Sequence, residues 1–292
     1  MRKIVGPVLA GLGAFLLVVG VLAVAYAPGQ VKRTPLGVDS TTVLEGTANR
    51  LGAGERPIFG LSITKSDDEA SSDDVVVFTN IACGVFDEGQ ERVCADGDDE
   101  NALSLSTDAF ATDRVTALAV ESDAVPPEFE QHEGLVNKWP FDAKQDTYPY
   151  WDGVTGQAVD AVFEREDEVL GLDVYVYRIE INNAAIEIAE GTPGTYTSMK
   201  EIYIDPRTGA IIHQTEEQQR YLDDGTQVLD LTLGFSEEQQ QANVADAEDN
   251  IASLDLLTGT VPLIGFIGGS LLLLAGLVLM LTGRNSGERA KS

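Results

Sequence analysis

The stretch KEIYIDPRTGAIIH, residues 200–213, decides the fold class of this chain. Two isoleucine-rich runs flank the turn Asp205–Gly209. In such a turn the Asp side chain accepts backbone hydrogen bonds, Pro fixes φ, and Gly adopts the left-handed conformation. The sequence therefore predicts a tight β-hairpin in which Asp205, Pro206 and Gly209 are structural.

Short β-branched and aromatic runs recur through the middle of the chain, separated by turn residues. The longest, 172–181, alternates between two faces with a period of two. Such runs predict a mainly β domain, either a curved sandwich or a partly closed barrel. A weaker copy of the turn at 112–114 suggests two related halves, about residues 40–125 and 151–235. The other predicted strands are 75–79, 115–120, 159–163, 185–188, 200–204, 210–213 and 228–233.

Two long apolar stretches lie at the ends of the chain. Residues 4–26 carry no charge, and residues 256–283 carry none either. Each is long enough to cross a hydrocarbon core of ~30 Å. A cleaved signal peptide is the alternative interpretation of the first stretch, but its apolar core exceeds the usual length of about 7–15 residues.

Basic residues on the terminal side of both stretches predict the orientation of the chain. Arg2 and Lys3 precede the first stretch, and Arg284, Arg289 and Lys291 follow the second. The positive-inside rule then places both termini in the cytoplasm of a two-pass plasma-membrane protein. The predicted layout is a cytoplasmic tail 1–3, a transmembrane helix 4–26, an extracytoplasmic β domain 27–235, a juxtamembrane helix 236–257, a transmembrane helix 258–282 and a cytoplasmic tail 283–292.

Small residues recur at four-residue spacing in both spans, as Gly6, Ala10 and Ala14 and as Gly265 and Gly269. Such faces let helices approach closely. The spans are therefore expected to pair with each other or with a partner, including a second copy of this chain. The alternative is that Gly is simply common in membrane helices.

The chain carries 48 acidic and 19 basic residues, for a net charge of −29. This balance argues against nucleic acid as a partner, because phosphate binding needs a basic patch. An acidic surface is typical of proteins that fold in concentrated salt, where self-repulsion is screened, so we predict a halophilic source. A calcium loop at 96–107 is the competing interpretation, but Asn101 and Thr107 stand where the loop needs Gly and Glu. No metal site is predicted.

Cys83 and Cys94 flank a turn-forming segment after a predicted strand. A structural disulfide fits this spacing and fits the oxidising side of a membrane. A redox or metal pair is the alternative, but it lacks C-x-x-C spacing and a nearby His.

Aromatic residues are concentrated at 139–151, within WPFDAKQDTYPYW. One interpretation is the wall of an apolar ligand pocket. The other is a rigid corner that packs one half of the domain against the other, since aromatic side chains most often bury area in cores. The candidate ligand-binding residues are Trp139, Phe141, Tyr148, Tyr150 and Trp151.

Residues 236–257 read as a helix that Ser236 caps and that carries one apolar stripe. No catalytic or cofactor-binding motif occurs anywhere in the chain. His213 follows an apolar run and is expected to be an ordinary strand residue. We therefore expect no catalytic residues, no cofactor and no enzyme activity.

Several of these segments resemble the PorA family of two-span envelope proteins of actinobacteria and haloarchaea. They are Gly6-Pro7-Val8-Leu9, Asp39-Ser40-Thr41-Thr42, Trp139-Pro140-Phe141, Thr147-Tyr148-Pro149-Tyr150-Trp151-Asp152 and Asp205-Pro206-Arg207-Thr208-Gly209-Ala210. The resemblance covers nearly the whole chain.

The resemblance implies lipid binding through the β domain, as in related mycobacterial envelope proteins. The leading hypothesis is thus a non-catalytic membrane-anchored protein that binds a lipid or lipid-linked envelope component, with membrane lipid as its partner. A scaffold that recruits envelope-assembly proteins is the alternative. An oligomeric channel is disfavoured because neither span contains a charge.

Overall fold

The computed structural model describes residues 2–94 and 99–288, with side-chain surroundings for 4–94 and 99–282. The acidic segment 96–107, considered above as a calcium loop, therefore begins outside the described residues. So do the two ends of the predicted cytoplasmic tails, residue 1 and residues 289–292. Two units make up the chain: residues 34–248, and a helical unit formed by 1–33 and 249–292.

One antiparallel sheet of ten strands forms the larger unit, in the order β4-β3-β2-β1-β10-β9-β8-β7-β6-β5. This is the partly closed barrel of the two predicted alternatives, not a sandwich of two sheets. The strands are β1 (Asp39–Arg50), β2 (Glu55–Asp67), β3 (Val75–Phe86), β4 (Ala102–Asp113), β5 (Tyr148–Asp152), β6 (Gln157–Val169), β7 (Leu172–Ala189), β8 (Thr192–Ile204), β9 (Ile211–Leu222) and β10 (Gln227–Phe235).

The connection between the two edge strands β4 and β5, residues 114–147, pairs with both of them. Ala119 forms a bridge with Thr112 of β4, Leu118 with Leu135, and Leu135 with Tyr150 of β5. Because an unpaired edge exposes backbone groups that favour aggregation, this connection protects both edges. The backbone hydrogen bonds of the link are Val120 N to Ala111 O (2.9 Å), Ala119 N to Gly134 O (2.7 Å) and Leu135 N to Pro149 O (2.7 Å).

The prediction of a strand at 115–120 is wrong, because within this segment only Leu118 and Ala119 pair, through isolated bridges. A turn occupies the start of the segment instead. The Asp113 carboxylate accepts hydrogen bonds from the backbone of Val115 and Thr116, and Ala117 adopts a φ of +60°. Local side chain–backbone bonding of this kind competes with a strand.

Helix α3 (Glu237–Asp255) begins after β10, and Ser236 caps it by accepting a 3.1 Å hydrogen bond from the backbone of Gln239. Its residues Val244 and Ala247 pack against buried Ile212 and Val174 of the sheet. The apolar stripe read from the sequence therefore contacts the β domain in this part of the helix.

The helical unit contains two helices that could span a membrane by length and composition. These are α1 (Arg2–Ala25) and α4 (Val261–Glu288). A short helix α2 (Ala27–Val31) follows α1, and a π-helical turn at Leu256–Thr260 joins α3 to α4.

Glycines on both helices form the contact between α1 and α4. A Cβ at Gly13 would lie 2.4 Å from the backbone nitrogen of Leu273, and one at Gly265 would lie 2.7 Å from the Cα of Gly20. Backbone atoms cannot yield to such a clash, so these positions require Gly. The two helices of one chain therefore pair with each other through small residues, which is one of the expected alternatives. Ala14 of the predicted face is exposed, and Gly13 and Gly20 form the contact instead.

Cys83 of β3 and Cys94 form the predicted disulfide, with Cα atoms 5.7 Å apart. Both lie beside an apolar cluster that includes Phe59 and Leu61 of β2. The bond fixes the segment after β3 to the sheet.

Gly13→Leu should separate α1 from α4, because the added side chain meets the backbone of Leu273. Overpacking of this kind costs about 1–3 kcal/mol. Electron–electron distance measurements between nitroxide labels at Leu12→Cys and Leu271→Cys in bilayer nanodiscs should show a longer, broader distribution. Gly11→Leu is the control, since nothing lies within 4 Å of its Cβ position. Equal distributions for the two variants would contradict the assigned helix contact.

Replacing both cysteines, Cys83→Ala and Cys94→Ala, should lower the free energy of unfolding by about 2–3 kcal/mol, because the disulfide restricts the unfolded chain. Urea unfolding of the full chain in detergent micelles measures this. Fluorescence reports on the β domain alone, since both tryptophans, Trp139 and Trp151, lie there. A midpoint equal to that of the parent chain would show that the disulfide adds no stability.

Candidate functional site

Trp139 lies at the centre of the largest apolar cluster of the β domain and is fully buried. Its ring lies 5.7 Å from that of Tyr150 and 5.2 Å from that of Tyr177, measured between centroids. The environment of Trp139 is thus a filled core.

Of the other four predicted aromatic residues, Tyr150 and Tyr148 belong to the Trp139 cluster, where Tyr148 packs edge-on against Tyr177. Half-buried Phe141 lies elsewhere, under the ammonium of Lys138 and 4.0 Å from its Nζ. Trp151 packs at a tilted angle against the ring of His132, with centroids 4.3 Å apart. Their role in ligand binding stays a prediction.

The turn Asp205–Gly209 holds the Trp139 segment in place. Trp139 donates its backbone N–H to the carbonyl oxygen of Gly209 at 2.8 Å, and Ala143 donates to that of Pro206 at 2.8 Å. A Cβ at Gly209 would lie 2.0 Å from the Trp139 carbonyl oxygen, and its φ is +75°. Only Gly fits both the conformation and the close approach.

The same five-residue turn occurs three times in the β domain. In each, an Asp carboxylate accepts from the backbone and hydroxyl of a Thr three residues on, and a residue with positive φ follows. The copy at 113–117 has the same geometry as the one at 205–209, and the relation between two halves stays a prediction. The third copy, at 152–156, was missed in the sequence. The three turns are Asp113–Ala117, Asp152–Gly156 and Asp205–Gly209.

A cleft of about 740 Å³ lies beside this filled core. Residues from β1 to β4, β9, the 136–138 segment and α3 line it. Of the five predicted aromatic residues, Tyr150 alone belongs to its wall. The volume is within the range of roughly 300–1,000 Å³ for small-molecule sites.

Part of the cleft lining is apolar. Leu44 of β1 and Phe235 of β10 are paired across the sheet, and both contribute to it. Val38, Val136 and Ile211 add to the same lining. These side chains are only partly buried by the protein, so their free surface faces the cleft.

The lining also contains a polar row with one residue from each of four adjacent strands, next to Phe78 of β3 and Phe110 of β4. Ser40 of β1 is paired with Thr64 of β2, Thr64 with Asn80 of β3, and Asn80 with Asp108 of β4. All four line the cleft. Directly paired residues project from the same face of a sheet, so these four side chains lie together on the inner face of β1 to β4.

Few charges line the cleft. Lys138 donates from Nζ to the carbonyl oxygen of Thr208 at 3.0 Å, and burial lowers the pKa of Lys138 to about 8 despite the opposing charge of Asp205. Asp108 lies 2.9 Å from Nε2 of the buried His132. With Asp39 and Asp246 included, the lining carries three carboxylates and one ammonium.

A buried ion pair lies farther along the inner face. Nζ of Lys200 is 3.3 Å from the Glu216 carboxylate, which also accepts hydrogen bonds from Ser198 and Gln218. Burial, the largest single effect, lowers the pKa of Lys200, but the combined interactions with Glu216, Tyr150, Tyr196 and Asp152 outweigh it and raise the pKa. Lys200 in turn lowers the pKa of Glu216, against the effect of burial. The charges thus compensate each other within the domain.

His213 lies on β9 between the rings of Tyr203 and Phe235, as expected for a strand residue, and burial lowers its pKa. Among the residues whose side chains are described, no group of three His, Cys, Asp or Glu could hold a metal ion.

Two features define the class of this protein. One is a curled antiparallel sheet that encloses a cleft, and the other is a pair of hydrophobic helices in the same chain. The model of the family described as Porin PorA matches residues 5–278. The chain therefore belongs to the PorA family.

No curated protein matches the chain. Among solved structures, a LolA superfamily protein from Nitrosomonas europaea aligns at 6% identity with a TM-score of 0.16. The alignment covers 71% of this chain and 88% of that one.

Glu216→Gln should destabilise the β domain by about 3–5 kcal/mol, because it leaves the buried Lys200 charge without its partner. Urea unfolding followed by tryptophan fluorescence measures the loss. The double variant with Lys200→Met should recover most of it, since no charge then remains.

Asp39→Asn is the matched control, since Asp39 forms an exposed pair with Lys65 at 3.0 Å. Exposed pairs contribute less than about 1 kcal/mol. Similar losses for Asp39→Asn and Glu216→Gln would contradict the buried, compensated pair.

Proposed function

We propose that this chain is a non-catalytic, membrane-anchored protein that binds a lipid or lipid-linked envelope component in the cleft of its β domain. The carrying observation is the cleft of about 740 Å³, whose lining combines apolar side chains with a row of polar ones. An amphipathic ligand matches this lining, because its chain can cover the apolar side chains while its headgroup meets the polar row.

The energetics of the apolar part of the lining favour a chain-bearing ligand. Each CH₂ group transferred from water to such a surface contributes about 0.8 kcal/mol. Leu44, Phe235 and Val136 present partly exposed apolar surface there. A ligand of several methylene groups would remove this surface from water.

The chain segments that border the cleft favour a ligand from the bilayer. Thr34 and Pro35 follow the first hydrophobic helix in sequence, and α3 precedes the second. Both segments line the cleft. We infer a two-pass arrangement in the plasma membrane, with both termini in the cytoplasm and the β domain outside, where a disulfide persists.

A scaffold for envelope-assembly proteins is the competing function. It requires no accessible cleft, whereas the binding function does. An experiment that fills the cleft separates the two.

Ala242→Trp should abolish ligand binding, because Ala242 of α3 lines the cleft and an indole there occupies the ligand's space. The full chain is produced in its native membrane and then purified into bilayer nanodiscs of defined lipids. Lipid that co-purifies with the chain is identified by native mass spectrometry. We expect a bound amphiphile in the parent and at least tenfold less in the variant.

Ala245→Trp is the control, since Ala245 is exposed on the same helix and does not line the cleft. It should leave the bound amphiphile unchanged. A parent chain that carries no amphiphile, or equal amounts in both variants, would refute binding in the cleft and favour the scaffold.

A further inference from the structure

Three of the four residues in the polar row offer hydrogen bonds without a charge, and the fourth, Asp108, is a carboxylate 2.9 Å from Nε2 of His132. Ser40, Thr64 and Asn80 provide hydroxyl and amide groups, which both donate and accept. Neighbouring strands are ~4.8 Å apart, so the row presents a polar group at that interval across four strands. A ligand with several polar groups in sequence can follow it.

Asn80 is the centre of the row. Its Nδ2 donates to Ser62 Oγ and to Thr64 Oγ1, both at 2.8 Å. With both amide hydrogens used, the side-chain oxygen of Asn80 can accept a hydrogen bond from a ligand hydroxyl. The two hydroxyls that accept from Asn80 keep their own hydrogens for donation.

The charges of the cleft disfavour an anionic headgroup. Asp39, Asp108 and Asp246 bring carboxylates to the lining, and Lys138 is its one cationic side chain within the described part of the chain. The Lys138 ammonium already contacts the Thr208 carbonyl oxygen and the Phe141 ring. A phosphate headgroup would meet more negative than positive charge.

We propose that the polar end of the ligand is an uncharged polyhydroxyl group, so that the cleft selects glycolipids over anionic lipids. This inference rests on the proposed binding function, whose lipid-binding part it specifies. The row Ser40–Thr64–Asn80–Asp108 is the headgroup site, and the Asn80 amide oxygen is its central acceptor.

The test measures binding of octyl maltoside, octyl phosphate and free maltose to the full chain in phosphatidylcholine nanodiscs by calorimetry, with empty nanodiscs subtracted. Octyl maltoside should bind at least tenfold more tightly than octyl phosphate. Asn80→Ala should lower the affinity for octyl maltoside about tenfold, because one headgroup hydrogen bond is lost. The affinity for octyl phosphate should stay within twofold of the parent value.

Thr64→Val is a second variant that keeps the β-branched shape and removes only the hydroxyl. It should also lower the affinity for octyl maltoside and not that for octyl phosphate. Thr79→Ala, at an exposed position beside Asn80 on β3, should leave both affinities unchanged. Unfolding midpoints measured by tryptophan fluorescence establish that each variant is folded.

The outcomes separate this inference from the proposed function. Equal affinities for the two octyl amphiphiles, or tighter octyl phosphate, would overturn the headgroup assignment while binding in the cleft stands. No binding of either amphiphile would overturn both. Free maltose that binds as tightly as octyl maltoside would uphold the headgroup site and overturn the lipid chain as part of the ligand.

Discussion

The backbone contact between the Trp139 segment and the turn Asp205–Gly209 is the constraint on which the β domain depends. It places Trp139 in the middle of the sheet's inner face, where its ring packs against Tyr150 and Tyr177. The same connection closes the gap between the two edge strands. A side chain at Gly209 would push the segment away and so disturb both the core and the closure.

This arrangement divides the inner face into two regions of different character. Around Trp139 the space is filled, and the aromatic rings stabilise the domain through burial. Along β1 to β4 the connection leaves a cleft, which Ser40, Thr64 and Asn80 line with polar groups. A packed core and an open site thus share one sheet, because the connection covers only part of it.

The sequence predicted the features that local chemistry determines. The turn at 205–209, the disulfide and the two hydrophobic helices follow from residue types at fixed spacing, and the structure has all three. Strands β1, β2, β4 and β5 were missed. In β1, β2 and β4 the Ser, Thr, Asn and Asp residues that face the cleft interrupt the apolar alternation on which strand prediction depends. The residues of β5 were interpreted as a pocket wall or a rigid corner. The cleft itself could not be predicted, since its lining comes from segments far apart in the chain and includes residues of seven strands.

The polar row favours a binding site in the cleft, because apolar side chains at these positions would serve the fold equally well. Inner positions of a barrel-like sheet are ordinarily apolar, and nearby positions of the same strands are: Ile58, Phe86 and Ala48 form a compact cluster. Replacing such residues by Ser, Thr and Asn removes burial that would stabilise the domain. Departures from the local pattern are expected at functional sites, and here they coincide with the cleft. The residues that weaken the strand signal are thus the same ones that line the cleft with polar groups.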